Sequence, residues 1–349
     1  MRESEGIGEN MAAIIYKCPN CGGDLRFDPE EQVFQCEYCR SEFSREQTGR
    51  FGEGEPEEAS EMLYSCPSCG AEIVTEETTA ATFCYYCHNP VVLSGRVQGG
   101  YHPDGILPFE VSQEKALEIF EQWIAKKRYV PREFYAQDQI EKLTGVYFPY
   151  WLYDCQVEGR LDAQGRKQTS WTEGNLRLTR TEEYEIHREG TMEINHVARN
   201  ALSKANRKLA EGVMPFAMEK MQPFHMEYLS GFMAENRDTE KAAFTMGVES
   251  EVRQFAEDSL RSEISGYRTV NVRARETRIE NPRWRYVLMP VWTLTYRDKN
   301  SDKIYYFACN GQTGKVCGEL PVDKGQLRGL FLKVFVPLLA ALLTAGYFI

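Results

Sequence analysis

The chain has 349 residues, of which 42% are apolar, 27% charged and 12% aromatic, with a formal net charge of −11. That length accommodates two or three independently cored units, and the composition excludes collagen-like, low-complexity and wholly disordered classes. A mean hydropathy of −0.50 excludes a multi-span membrane protein and leaves room for one span at an end.

Residues 1–100 hold 7 Lys and Arg against 18 Asp and Glu, so the whole charge imbalance lies in this region. Non-specific nucleic-acid binding depends on cations that displace counterions, so an acidic amino-terminal region argues against that function. Eight of the 11 cysteines fall between residues 18 and 87 as four Cys-x-x-Cys pairs, while Cys155, Cys309 and Cys317 stand alone. No basic segment followed by an apolar stretch opens the chain, which predicts a reducing compartment. Paired cysteines then read as metal ligands or redox centres.

Taken in order, residues 1–13 are polar and predict a flexible tail. An internal repeat follows with a period of 48 residues: Cys18-Pro-Asn-Cys21, fourteen residues, Cys36-x-x-Cys39, and then Cys66-Pro-Ser-Cys69, fourteen residues, Cys84-x-x-Cys87. The repeat predicts two small ribbons, over 14–46 and 62–95, joined by the acidic linker 47–61. Each pair of short turns aims four sulfurs at one point, so Cys18, Cys21, Cys36 and Cys39 form one expected tetrahedral site, and Cys66, Cys69, Cys84 and Cys87 a second. Units of this size bury too little apolar surface to fold alone, so the metal supplies much of their folding free energy. Zinc is the first choice and a single iron the second. Both sites are closed, which makes the two ions structural and leaves no catalytic position.

Residues 101–324 read as an α+β body. Ser112 is a suitable N-cap for a helix over 112–124 whose apolar face carries Ala116, Ile119, Phe120, Trp123 and Ile124. Strand signals follow at 145–157, 179–188 and 191–197, then a second long helix within 241–264, with Phe244, Val248, Val252, Phe255 and Leu260 as its stripe. Further strands are predicted over 269–278, 286–297 and 303–308. Val146-x-x-Pro149-x-Trp151 reappears as Val287-x-x-Pro290-x-Trp292, which predicts a duplicated unit of one helix plus antiparallel sheet. Proline in both copies suggests sheet edges or bulges. The loop from Asn310 to Gly314 has the chemistry of a hairpin turn.

The aromatic run Tyr147, Phe148, Tyr150, Trp151 and Tyr153 lacks basic neighbours and therefore reads as sheet core or a protein-binding face before a base-stacking platform. The five histidines form no metal-binding or catalytic pair. No phosphate-binding loop, nucleophile elbow or dinucleotide fingerprint occurs, so no enzyme and no catalytic residue is predicted. Sixteen uncharged residues follow Lys333. If Lys333 snorkels, 327–349 reaches the length of one transmembrane helix. Lys324, Arg328 and Lys333 before it predict a single-pass tail-anchored protein of the cell membrane with its body in the cytoplasm.

The two Cys-Pro-x-Cys-Gly knuckles, Leu107-Pro108-Phe109, the segment from Gly145 to Asp154 and Asn310-Gly-Gln-Thr-Gly-Lys315 together resemble bacterial proteins with paired TFIIB-type zinc ribbons and a hydrophobic end, often labelled primosomal or helicase-like. The chain is similar to a branch encoded with SPFH (flotillin-like) and phage-shock PspA-type proteins. The resemblance implies a membrane-anchored scaffold that recruits such partners. The alternative is a zinc-ribbon factor of replication or transcription, which the acidic ribbons oppose.

Overall fold

A computed structural model of the chain describes residues 13–14, 16–44, 47, 63–65, 72–74, 79–83, 90–93, 102–136, 142–203, 205, 207–298 and 303–347. The first strands are β1 (Ala13–Ile14), β2 (Leu25–Asp28), β3 (Val33–Cys36), β4 (Glu42–Phe43), β5 (Leu63–Ser65) and β6 (Glu72–Val74). Then come β7 (Thr79–Phe83), β8 (Pro90–Leu93), β9 (Gly105–Ile106), helix α1 (Gln113–Ala125), β10 (Thr144–Glu173) and β11 (Leu176–Asn200). The remainder is α2 (Arg207–Gly212), β12 (Gln222–Pro223), β13 (Met233–Glu235), α3 (Ala242–Ser262), β14 (Thr269–Arg297), β15 (Ile304–Asn310), β16 (Val316–Glu319) and α4 (Lys324–Tyr347). The chain divides into two compact units, one of Met1–Pro149, Leu202–Asn236 and Leu288–Ile349, the other of Tyr150–Ala201 and Arg237–Val287.

In the first unit the strand order is β1-β8-β7-β13-β10-β14-β15-β16, with the small sheet β2-β3-β4 apart. Ser112 caps α1, its Oγ accepting from Lys115 N at 3.3 Å. The buried face of the helix sets Phe120 and Trp123 on Phe307, with ring centroids 4.9 and 5.3 Å apart. Phe109 is fully buried, stacked on Phe232 at 4.2 Å and flanked by Tyr147 and Trp292 at 5.0 and 5.1 Å. Asn310 closes the β15–β16 turn, accepting from the N–H groups of Gln312 and Thr313 through its Oδ1, both at 2.9 Å.

In the second unit β10 and β11 form one long hairpin, from Tyr150↔Asn200 to Glu173↔Leu176, with a single irregularity between Tyr153 and Cys155. Its two-residue turn starts at Gly174 with φ +59°, the left-handed geometry a type II′ turn demands of its first central residue. Helix α3 covers one face with Val248, Val252, Ala256 and Leu260 against Tyr153, Val157, Leu161 and Ile186. Ala256, not the predicted Phe255, belongs to this stripe: positions four apart stay on one face, and Phe255 is 60% exposed.

Trp151 and Trp292 end the two Val-x-x-Pro-x-Trp segments. The Trp151 indole donates to Thr239 O (2.9 Å), just before α3, and the Trp292 indole to Val111 O (2.8 Å), just before α1. Each tryptophan therefore anchors the helix that sequence order assigns to the other copy. The two prolines are not at sheet edges. Each sits where its strand changes partner, Pro149 between the β13 pairs at Val146 and Tyr147 and the β11 pairs from Tyr150, and Pro290 just before the β15 pairs begin at Val291. A missing N–H at such a position costs no ladder bond.

Two expectations are corrected. The α+β body is instead predominantly β, because polar segments that broke the apolar alternation continue the ladders of β10, β11 and β14, of 30, 25 and 29 residues. The transmembrane helix expected over 327–349, and with it the tail-anchored placement at the cell membrane, is overturned: among the described residues no helix is long and apolar enough to cross a membrane. Lys324, Arg328 and Lys333 all lie in the first ten residues of α4, and the uncharged run after Lys333 is 16 residues where a span needs about 20.

Candidate metal centre

The first cysteine quartet is assembled by two turns of the same design. After Cys18-x-x-Cys21, Gly22 takes φ +73° and its N–H donates to Cys18 O at 2.8 Å; after Cys36-x-x-Cys39, Arg40 takes φ +57° and its N–H donates to Cys36 O at 2.9 Å. Each turn reverses the chain over one left-handed residue and leaves both of its sulfurs on one side. The hairpin β2–β3 then sets the turns against each other, with Leu25 opposite Cys36 and Phe27 opposite Phe34. Its loop is held by Asp28 Oδ1, which accepts from the N–H groups of Glu30 and Glu31 at 2.9 and 3.2 Å.

The result brings Cys18, Cys21, Cys36 and Cys39 together with all four sulfurs within 4.8 Å of one another. The pairs Cys18–Cys39 and Cys21–Cys36 are 3.6 and 3.5 Å apart. A disulfide bond would be about 2.05 Å, whereas four thiolates around an ion at about 2.3 Å stand about 3.8 Å apart. The cluster therefore has the dimensions of a tetrahedral metal site, and these four residues could hold a metal ion.

The surroundings favour thiolate at Cys39. Ser41 Oγ lies 3.2 Å from Cys39 Sγ, and the Ser41 hydroxyl, followed by its backbone N–H, draws the Cys39 thiol down to about 6. At Cys21 the Gly23 N–H at 3.4 Å also favours the anion, but crowding by the Cys39 and Cys36 sulfurs outweighs it and pushes the thiol up to about 12. Opposite shifts in one quartet are what four sulfurs close enough to compete for negative charge produce. Gly23 and Ser41 stand two residues after the second cysteine of their pairs; that shared offset was readable in the sequence, though their role was not.

A Cβ on Gly23 would lie 3.0 Å from Tyr38 Cβ and 3.2 Å from Cys36 Sγ. Gly23→Ala is therefore expected to weaken metal retention by about tenfold, the lower end of the range for groups that orient ligands. Competition with a chromophoric chelator measures it; retention equal to wild type would show that the knuckle yields without cost.

The ribbon is seated on its own unit rather than displayed on a linker. Ser230, in the loop after a 3₁₀ turn at Met226–Leu229, donates its hydroxyl to Leu25 O at 2.6 Å and accepts the Phe27 N–H on its backbone carbonyl at 3.2 Å. Phe27 meets Tyr228 edge-on at 5.1 Å, Gln32 donates to Phe109 O at 2.7 Å, and Ser112 donates to Glu30 at 2.6 Å. No motif marks Ser230 or Tyr228, so their part in holding the ribbon was missed.

Cys66, Cys69, Cys84 and Cys87 lie outside the described residues. The strands around them are described: β5 pairs with β6, and β7 pairs with both β8 and β13, which joins that hairpin to the large sheet. Of the lone cysteines, Cys155 and Cys309 are buried, and burial pushes the thiols of Cys309 and Cys317 up to about 12 and about 11, which keeps them protonated and unreactive. Tyr147, Tyr150, Trp151 and Tyr153 are all buried in sheet.

No family model and no solved structure matches the chain. The chain is 36% identical over 325 residues to the uncharacterized protein YdjG of Bacillus subtilis (strain 168), a match that covers 91% of this chain and 93% of that protein, and it belongs to the same family as YdjG.

Proposed function

We propose that the chain is a non-catalytic adaptor of the TFIIB-type zinc-ribbon kind, which holds zinc in both cysteine quartets and uses the rigid surface of ribbon and sheet to recruit partner proteins. The observation that carries this reading is the closed cluster of Cys18, Cys21, Cys36 and Cys39. With four sulfurs filling the tetrahedron, an ion there has no open position for a substrate and acts on structure alone. Zinc is favoured over iron because closed four-cysteine sites of this spacing are its commonest structural setting. The resemblance of the knuckles and of the Gly145–Asp154 and Asn310–Lys315 segments points to SPFH- and PspA-type proteins as the partners.

Two measurements test the reading. Elemental analysis of the protein purified without added metal is expected to return two zinc ions per chain, one for each quartet; two irons would replace zinc in the proposal. A crosslinked pull-down with mass spectrometry is expected to recover SPFH- or PspA-type proteins with the wild-type chain and to lose them with Cys36→Ser. Recovery of polymerase, helicase or primosome components instead would overturn the adaptor reading in favour of nucleic-acid machinery.

A further inference from the structure

Strand β11 is an open edge. Its 25 residues pair with β10 and with no other strand among the described residues. Over most of the sheet β14 lies on the far side of β10, but that cover ends at Arg166, whose carbonyl accepts the Arg268 N–H just before β14 begins. Beyond that point the hairpin is a two-stranded arm of seven pairs, from Lys167↔Glu182 to Glu173↔Leu176, and residues 166–177 are exposed on both faces. A two-stranded ribbon alone in water is marginally stable, and a long open edge is a template for another strand.

The pattern of charge along this edge selects the partner. The two-residue turn makes Glu173↔Leu176 a hydrogen-bonded pair, so the odd-numbered residues from Arg177 to Glu185 direct their N–H and C=O groups outward. Laid antiparallel against a second copy about a twofold axis at Thr181, Arg177 falls opposite Glu185, Thr179 opposite Glu183 and Arg180 opposite Glu182. Leu178 then meets Tyr184, and no like charges face each other. Moving the axis by one residue in either direction sets Arg180 or Glu182 against its own copy, which is repulsive. Within the chain Glu183 is held by Arg166 at 2.8 Å and Glu182 by Arg180 at 2.9 Å, whereas Arg177 and Glu185 make no ion pair among the described residues.

We propose that this chain forms a twofold homodimer by antiparallel pairing of β11 edges, centred on Thr181. Five outward pairs, each exchanging two backbone bonds, give about ten hydrogen bonds across the axis. The pairing supplies the third strand that the arm lacks beyond Arg166, and it hides the edge from non-specific association.

Sedimentation of the full chain across the micromolar range tests this directly. The wild type is expected to show a reversible monomer–dimer equilibrium. Arg177→Glu faces two like-charged pairs in the dimer and is expected to weaken association by about tenfold or more. The double variant Arg177→Glu with Glu185→Arg restores the pattern and is expected to restore the wild-type affinity, which separates pairing from any loss of fold. In the hydrogen-bonded register the two Thr181 Cα atoms stand about 5.5 Å apart, within disulfide range. Mild oxidation of Thr181→Cys is therefore expected to yield a dimer crosslinked at that position, identified by peptide mapping. A wild-type chain that stays monomeric throughout, a dimer indifferent to Arg177→Glu, or a double variant that remains weakened would each overturn the proposal.

Discussion

Replacing Cys36 by serine is expected to unfold the β2–β4 ribbon while the hairpin of β10 and β11 stays folded. The ribbon has few buried apolar side chains of its own, chiefly Leu25, Phe27 and Phe34, and a sheet of four-, four- and two-residue strands. A unit this small depends on a bound ion: structural zinc contributes about 10–16 kcal/mol to the folding of small peptides at neutral pH. Cys36 is fully buried and 3.5 Å from Cys21, so its loss removes one of the four sulfurs from inside the cluster. Hydrogen exchange locates the effect. Protection at Leu25, Phe27 and Phe34 should fall to that of an open chain, and protection at Val157 and Leu161 should persist. Chelation of the wild type should reproduce the pattern, and so should mild acid, because the cysteines bind metal as thiolates and protons compete for them. A ribbon that remained protected without metal would show that its seat on Ser230 and Tyr228 suffices to fold it.

Phe109→Ala is expected to cost the first unit about 4 kcal/mol, within the usual range for emptying an aromatic core position. Phe109 touches three aromatic rings, from Tyr147, Phe232 and Trp292, and none of its surface is exposed. These partners come from β10, the loop before β13, and β14, so the cavity cannot close by the movement of one element. Phe109→Leu should recover a large part of the loss. Denaturant unfolding reads the effect as a lower midpoint with an unchanged slope. A shift below about 1 kcal/mol would place the phenylalanine in a core that collapses around the gap.

Features encoded by neighbours in the chain were legible in the residues alone. The spacing of Cys18, Cys21, Cys36 and Cys39 announced a four-sulfur cluster because each knuckle is closed by its own backbone bonds. Ser112 announced the start of α1, and Asn310 with Gly314 announced the β15–β16 turn, for the same reason. Sequence reading stopped where a signal depended on what covers a surface. The polar stretch 166–177 carries no alternation, since both faces there meet water, so one hairpin read as separate short strands. The apolar end of the chain read as a span, but no helix among the described residues is long and apolar enough to cross a membrane.

Tertiary structure alone decided which distant segments meet. Ser230 reaches Leu25 across 205 positions, and Trp292 reaches Val111 across 181. A single hydroxyl or indole carries no mark of its eventual partner, and closing loops of such length costs entropy that only the assembled core recovers. The metal knuckles were therefore determined by the sequence itself, because their geometry is local. The seat of the ribbon, the exchange of helices between the two tryptophan segments and the open edge of β11 were settled only by the packing of elements far apart in the chain.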